Sequence, residues 1–126
     1  MIQKLIFTFV LLFFVVINSY SQQVLQSSQQ ENCLWDVTSS SFAECTPQEK
    51  EYQISINQNS GIISVTYLNE VDIYKIKSKE ISTNQTIFHT IHASGVGSII
   101  TFNTLDNWLE ITDDPISTRT QFYINN

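Results

Sequence analysis

The only two histidines, His89 and His92, stand three residues apart in "IFHTIHASG". That spacing brings two imidazoles onto one face of a helix and sends them to opposite faces of a strand. Together on a helix they would begin a metal site. Thr86, Ile87, Thr90 and Ile91 are β-branched and Phe88 is aromatic, which favours strand. His89 then shares a face with Ile87, Ile91 and Ala93, and His92 points the other way with Phe88 and Thr90. The reading is one imidazole bonded in or near the core and one near a turn, with no ligand set for a metal.

Four acids, Asp106, Glu110, Asp113 and Asp114, follow in "DNWLEITDD". Acids in one cluster can bind calcium or work as a general acid and base. Alternation places Asp106, Trp108 and Glu110 on one face and Asn107, Leu109 and Ile111 on the other, with Asp113 and Asp114 in a turn before Pro115. They read as solvated strand ends, and no loop has the spaced acids and glycine of an EF-hand.

Arg119, the only arginine, stands with Gln121 and Tyr123 on one face of the last apolar stretch, opposite Thr120, Phe122 and Ile124. Inside a barrel, an Arg and a Tyr on one face would clasp a carboxylate, so these three are the candidate ligand-binding residues. Phe122 and Ile124 compete for the core side and would turn them outward.

Other chemistry finds little footing. "ASGVGS" lacks the helix that a phosphate loop needs behind it, since "SIITFN" continues as strand, so it reads as a hairpin turn. No GxSxG elbow is present, and the serines of "TSSSF" crowd beside Cys45. Lys75, Lys77 and Lys79 fall on one strand face with Val71 and Ile73, where a lysine ladder would protect an exposed edge strand. Asn84, Gln85 and Thr86 form a glycosylation sequon. No catalytic residue and no cofactor are expected.

The elements that position these groups have a period of two. "YQISIN", "IISVTYL", "VDIYKIKS" and "SIITFN" alternate or are β-branched and aromatic, and turn signals separate them about every ten residues. With "CLWDV" and "STRTQFYIN" this predicts an all-β antiparallel meander of about eight strands, either a closed barrel or a two-sheet sandwich. Strand number and alternation resemble calycin-type barrels, which implies an interior able to hold a small apolar or carboxylated ligand. Thr46, Pro47 and Glu49 match a cap, a first-turn proline and a capping-box acid, predicting a short helix after Cys45.

The amino terminus has one lysine, an uncharged apolar run from Leu5 to Ile17 and small residues at Ser19 and Ser21. This pattern predicts a signal peptide over residues 1–21, cut after Ser21, and a secreted or periplasmic product. The run falls short of the roughly 20 residues of a membrane span. Losing Lys4 leaves five basic against twelve acidic side chains, a formal charge of −7 that repels nucleic acid and anionic lipid. Cys33 and Cys45, an even count in an exported chain, predict one disulfide, worth about 3 kcal/mol in the chain-entropy model. Residues 22–32, rich in Gln and Ser, read as a flexible polar leader ahead of a single domain over 33–126.

The expected function is non-catalytic binding. One version puts a small apolar or carboxylated ligand inside a barrel; the other is a surface module, with a filled core, for adhesion or a protein partner.

Overall fold

The computed structural model describes residues 22–126, so the expected signal peptide and its cleavage site lie outside the described residues. The two-residue period becomes nine strands: β1 (Gln22–Asp36), β2 (Ser41–Gln48), β3 (Tyr52–Asn57), β4 (Ile62–Tyr67), β5 (Glu70–Ile81), β6 (Gln85–His92), β7 (Gly97–Asn103), β8 (Trp108–Asp114) and β9 (Thr118–Ile124). No helix occurs among the described residues, and hence none long and apolar enough to cross a membrane.

Strands β3 to β9 form an antiparallel meander, and β1 closes it by pairing with β3 over Gln22–Ser27 and with β9 over Ser27–Leu34. The result is an eight-stranded closed barrel with one additional strand, consistent with a calycin-like barrel rather than a two-sheet sandwich. Strand β2 pairs with β1 over Gln30–Asp36. Because β9 overlaps both β2 and β3 along β1, it must occupy the opposite edge. Strands β2 and β3 therefore follow one another along the same edge of β1.

Two expectations are corrected here. Residues 22–32 are not a flexible leader but most of the closing strand. Their glutamines and serines mislead because polar side chains satisfy the barrel from within: Ser27 and Gln30 are buried. The Gln30 amide donates to the Lys50 carbonyl at 2.7 Å and accepts from the Lys50 amide at 3.2 Å. One side chain thus stands in for the missing ladder bonds where the chain steps from β2 to β3. The helix expected after Cys45 is also absent, since Thr46 and Pro47 pair in β2 with Asn32 and Glu31. The disulfide and the β1 ladder override the local capping signal, and proline is tolerated because β2 is an edge strand.

A third correction concerns the lysines. Strand β5 pairs with β4 over Glu70–Lys75 and with β6 over Tyr74–Ile81, so it has a partner on both sides only at Tyr74 and Lys75, and the expected ladder does not line one continuous edge. A bulge between Ile76 and Ser78 shifts the register, so Lys79 sits opposite buried Phe88 and Lys75 opposite Ile91. An extra residue reverses the facing of everything beyond it, which breaks the ladder. Lys79 instead donates to Gln58 Oε1 at 2.6 Å across the lower rim.

The inward face carries an apolar core beside a few buried polar side chains. Ile54, Ile63, Ile100 and Leu109 have no exposed surface, and Phe88, Val65, Phe102, Ile111 and Phe122 pack with them. Eight strands enclose an interior just wide enough for side chains to fill it.

Candidate functional site

The core stops short of one end, where the β4–β5, β6–β7 and β8–β9 turns lie. Cross-strand partners share a face, so the pairing assigns the lining. Asp72 lies opposite Val65, Tyr74 opposite Ile63, Asp113 opposite Ser98 and Thr120 opposite Ile111. Each partner is buried, and each of these four therefore faces inward at the mouth. Together with Asn32, Tyr52 and Thr118 they surround a cavity of about 260 Å³ whose floor is Val65, Ile111 and Phe122. A second cavity of about 230 Å³, lined by His92, Ser94, Val96 and Ser98, shares Tyr74 and Asp113 with the first.

The mouth is wired by hydrogen bonds. The Ser94 amide donates to His92 Nδ1 at 3.1 Å, so the ring proton resides on Nε2, which donates to Asp72 Oδ1 at 3.0 Å. The imidazole also meets the Tyr74 ring edge-on at 5.0 Å between centroids. Asp113 Oδ2 accepts from the hydroxyls of Ser117 and Thr118, at 3.2 and 2.9 Å. Tyr52 packs tilted against Tyr67 and edge-on against Phe122, both at 5.1 Å between centroids.

Two phenols respond to this setting. Burial, followed by the charges of Asp72 and Asp113, pushes Tyr74 up to about 12. Burial, then Tyr67, Asp72 and Glu70, raises Tyr52 as well. The unfolded chain releases the Tyr74 proton near 10, while the folded chain holds it to about 12. Stability attributable to Tyr74 is thus intact below pH 10 and falls as pH climbs from 10 to 12. Ultraviolet phenolate titration is expected to show a late step near pH 12 that is lost in Tyr74→Phe; a wild-type curve with no step above the ordinary tyrosine range contradicts this.

The histidines lie on opposite faces, as the period requires: His92 with buried Phe88 and Thr90 at the mouth, and His89 outside, 3.7 Å from Glu80. Of the acids, Asp106, Glu110 and Asp113 are likewise dispersed. Glu110 pairs with Thr101 and Gln121, Asp106 is exposed in the β7–β8 turn, and Asp113 belongs to β8 rather than a turn, facing the mouth. Sequence reasoning missed Asp72 and Asp113 as site residues. The available signal was parity, since Asp113 continues the Leu109, Ile111 series and Asp72 shares a face with Tyr74 and Ile76.

Arg119, Gln121 and Tyr123 alternate with buried Phe122 and face outward, so none of them enters the barrel. Arg119 instead borders an outer groove of about 510 Å³ with Cys33, Leu34 and Glu44. Its guanidinium lies 3.5 Å from Glu31, 3.2 Å from Cys33 Sγ and 4.7 Å from the Phe42 ring, and its Nε is buried without a partner. Phe42 also receives the edge of Trp35 at 5.1 Å.

Cys33 and Cys45 form the expected disulfide, a bond compatible with an extracellular or periplasmic location. A bulge admits it: Glu44 and Cys45 occupy the space opposite Cys33, and Glu44 takes the left-handed conformation, φ 50°, that such a bulge needs. Among the described residues, Glu31, Cys33 and Cys45 are also the group whose ligand-type atoms lie within 4.8 Å of one another, but the disulfide occupies both sulfurs. Comparison with protein-family models, with curated proteins and with solved structures found no match to this chain.

Proposed function

We propose that this is an exported, non-catalytic binding barrel that takes a small ligand at its mouth instead of in a hollow interior. The observation that carries the reading is the placement of Asp72 and Asp113 around Tyr74, above an apolar floor. Two carboxylates repel the carboxylated ligand that the sequence suggested and favour an organic cation. Tyrosine rings attract an ammonium through their faces, and Val65, Ile111 and Phe122 suit a short apolar tail. Each cavity is smaller than the ~300–1,000 Å³ of common ligand sites, which suits a small ligand. A bound metal ion is less suited, because the close-set ligand group lies elsewhere, at the disulfide.

Titration calorimetry with phenethylammonium and with 3-phenylpropionate tests this. The amine is expected to bind at one site, the carboxylate not at all, and Asp72→Asn with Asp113→Asn to weaken the amine about tenfold or more. Equal affinity for the two, or an amine indifferent to the double substitution, rejects it. A surface-interaction module is the second reading, favoured by the exposed Val71, Ile73 and Ile91 on the outer face of β5 and β6. Binding of neither probe, with a protein partner lost on Ile73→Lys, would select it.

A further inference from the structure

The Cys33–Cys45 bridge has two unlike ends. Cys33 is 2 % exposed, whereas Cys45 lies exposed on an edge strand. Arg119 Nη2 is 3.2 Å from Cys33 Sγ and is held there by the Phe42 ring beneath it and by Glu31 beside it. We propose that Cys45 is a site of S-thiolation by a low-molecular-weight thiol, with Cys33 always the leaving group.

The thiolate of the small molecule attacks Cys45 Sγ from the solvent side. A new sulfur–sulfur bond forms on Cys45, the Cys33–Cys45 bond breaks, and its electron pair leaves on Cys33 as a thiolate beside Arg119. This first step is an exchange with no net oxidation. A second small-molecule thiolate can attack the added sulfur, releasing the small-molecule disulfide and the Cys45 thiolate, which takes a proton from water. Two thiols are then oxidised and the protein bridge reduced by the same two electrons.

Three observations set the direction. Attack needs access, which Cys45 offers and Cys33 does not. The sulfur that leaves faster is the one whose thiolate is better stabilised, and among the described residues the guanidinium at 3.2 Å belongs to Cys33. Glu31 Oε1 lies 3.5 Å from Cys33 Sγ and opposes a thiolate there, and the closer Arg119 guanidinium, at 3.2 Å, offsets it at that end.

The test uses the folded chain in a buffer of 2-mercaptoethanol and its disulfide, quenched with acid, alkylated and mapped by mass spectrometry. The adduct is expected on Cys45 over Cys33 by about tenfold or more, with Arg119→Lys retaining the bias and Arg119→Gln reducing it to within about threefold. Equal adducts in the wild type, or an undiminished bias in a folded Arg119→Gln, overturn the proposal. Should Arg119→Gln not fold, thiolate absorbance of two single-cysteine variants decides the matter. Cys45→Ser, which retains Cys33, is expected to hold about tenfold more thiolate at neutral pH than Cys33→Ser; equality or the reverse order overturns it.

Discussion

A chain that begins at Asn32 is expected to lose the barrel altogether, although the ten residues removed from the described strand look like a dispensable polar leader. Residues 22–31 supply every ladder bond between β1 and β3 and a large share of those to β9. Without them Ile54 and Ile56 on one side and Phe122 on the other border open edges. The amide of Gln30, which serves both backbone groups of Lys50, goes as well, and each such bond is worth about 1 kcal/mol with a larger cost for a buried group left unpaired. Against a total stability of about 5–15 kcal/mol, losing a central strand exceeds what the rest can supply. Urea unfolding followed by circular dichroism should show no cooperative transition for the shortened chain. A transition within about 1 kcal/mol of the chain starting at Gln22 would mean that β1 does not close the fold.

Phe88→Ala is expected to cost about 3–5 kcal/mol and to open a dry cavity in the apolar core. Phe88 is 2 % exposed and sits among the fully enclosed Ile and Leu side chains of the core. Strand β7 beside it is tied in turn to β8, so on that side the wall cannot collapse into the space. A fluorescent fatty acid should therefore fail to bind the native barrel, and a molecule the size of benzene should bind only the variant. This separates a mouth-binding barrel from one that swallows its ligand. A native protein that binds the fatty acid at one displaceable site, or a variant that loses less than about 1 kcal/mol, would show that the interior is not packed as described.

The substitutions at the mouth and Phe88→Ala in the core act through different physics. Asp72 and Asp113 are partly solvated, so removing their charge alters ligand choice far more than stability. Phe88 lies below them and alters stability far more than ligand choice. A ligand that responds to both with equal loss would be reporting unfolding.

What the sequence determined by itself is whatever depends on a residue and its immediate neighbours. β-branched and aromatic alternation made the strands, and an odd spacing separated His89 from His92 before any fold was assigned. Two cysteines in a chain read as exported were enough to predict one disulfide, Cys33 to Cys45. What only the tertiary structure decided is which strands meet. Polar composition hid β1 because the partners of Ser27 and Gln30 come from distant backbone, and a capping pattern disguised β2 because the disulfide that straightens it is non-local. The bulge after Ile76 turned the lysine ladder, and closure of β1 on β9 chose barrel over sandwich. Asp72 and Asp113 lie far apart along the chain and gain a common purpose only when the closed barrel sets them around Tyr74. Side-chain parity is carried by each strand alone, whereas a binding site at the mouth of a barrel exists only after all its strands have been joined.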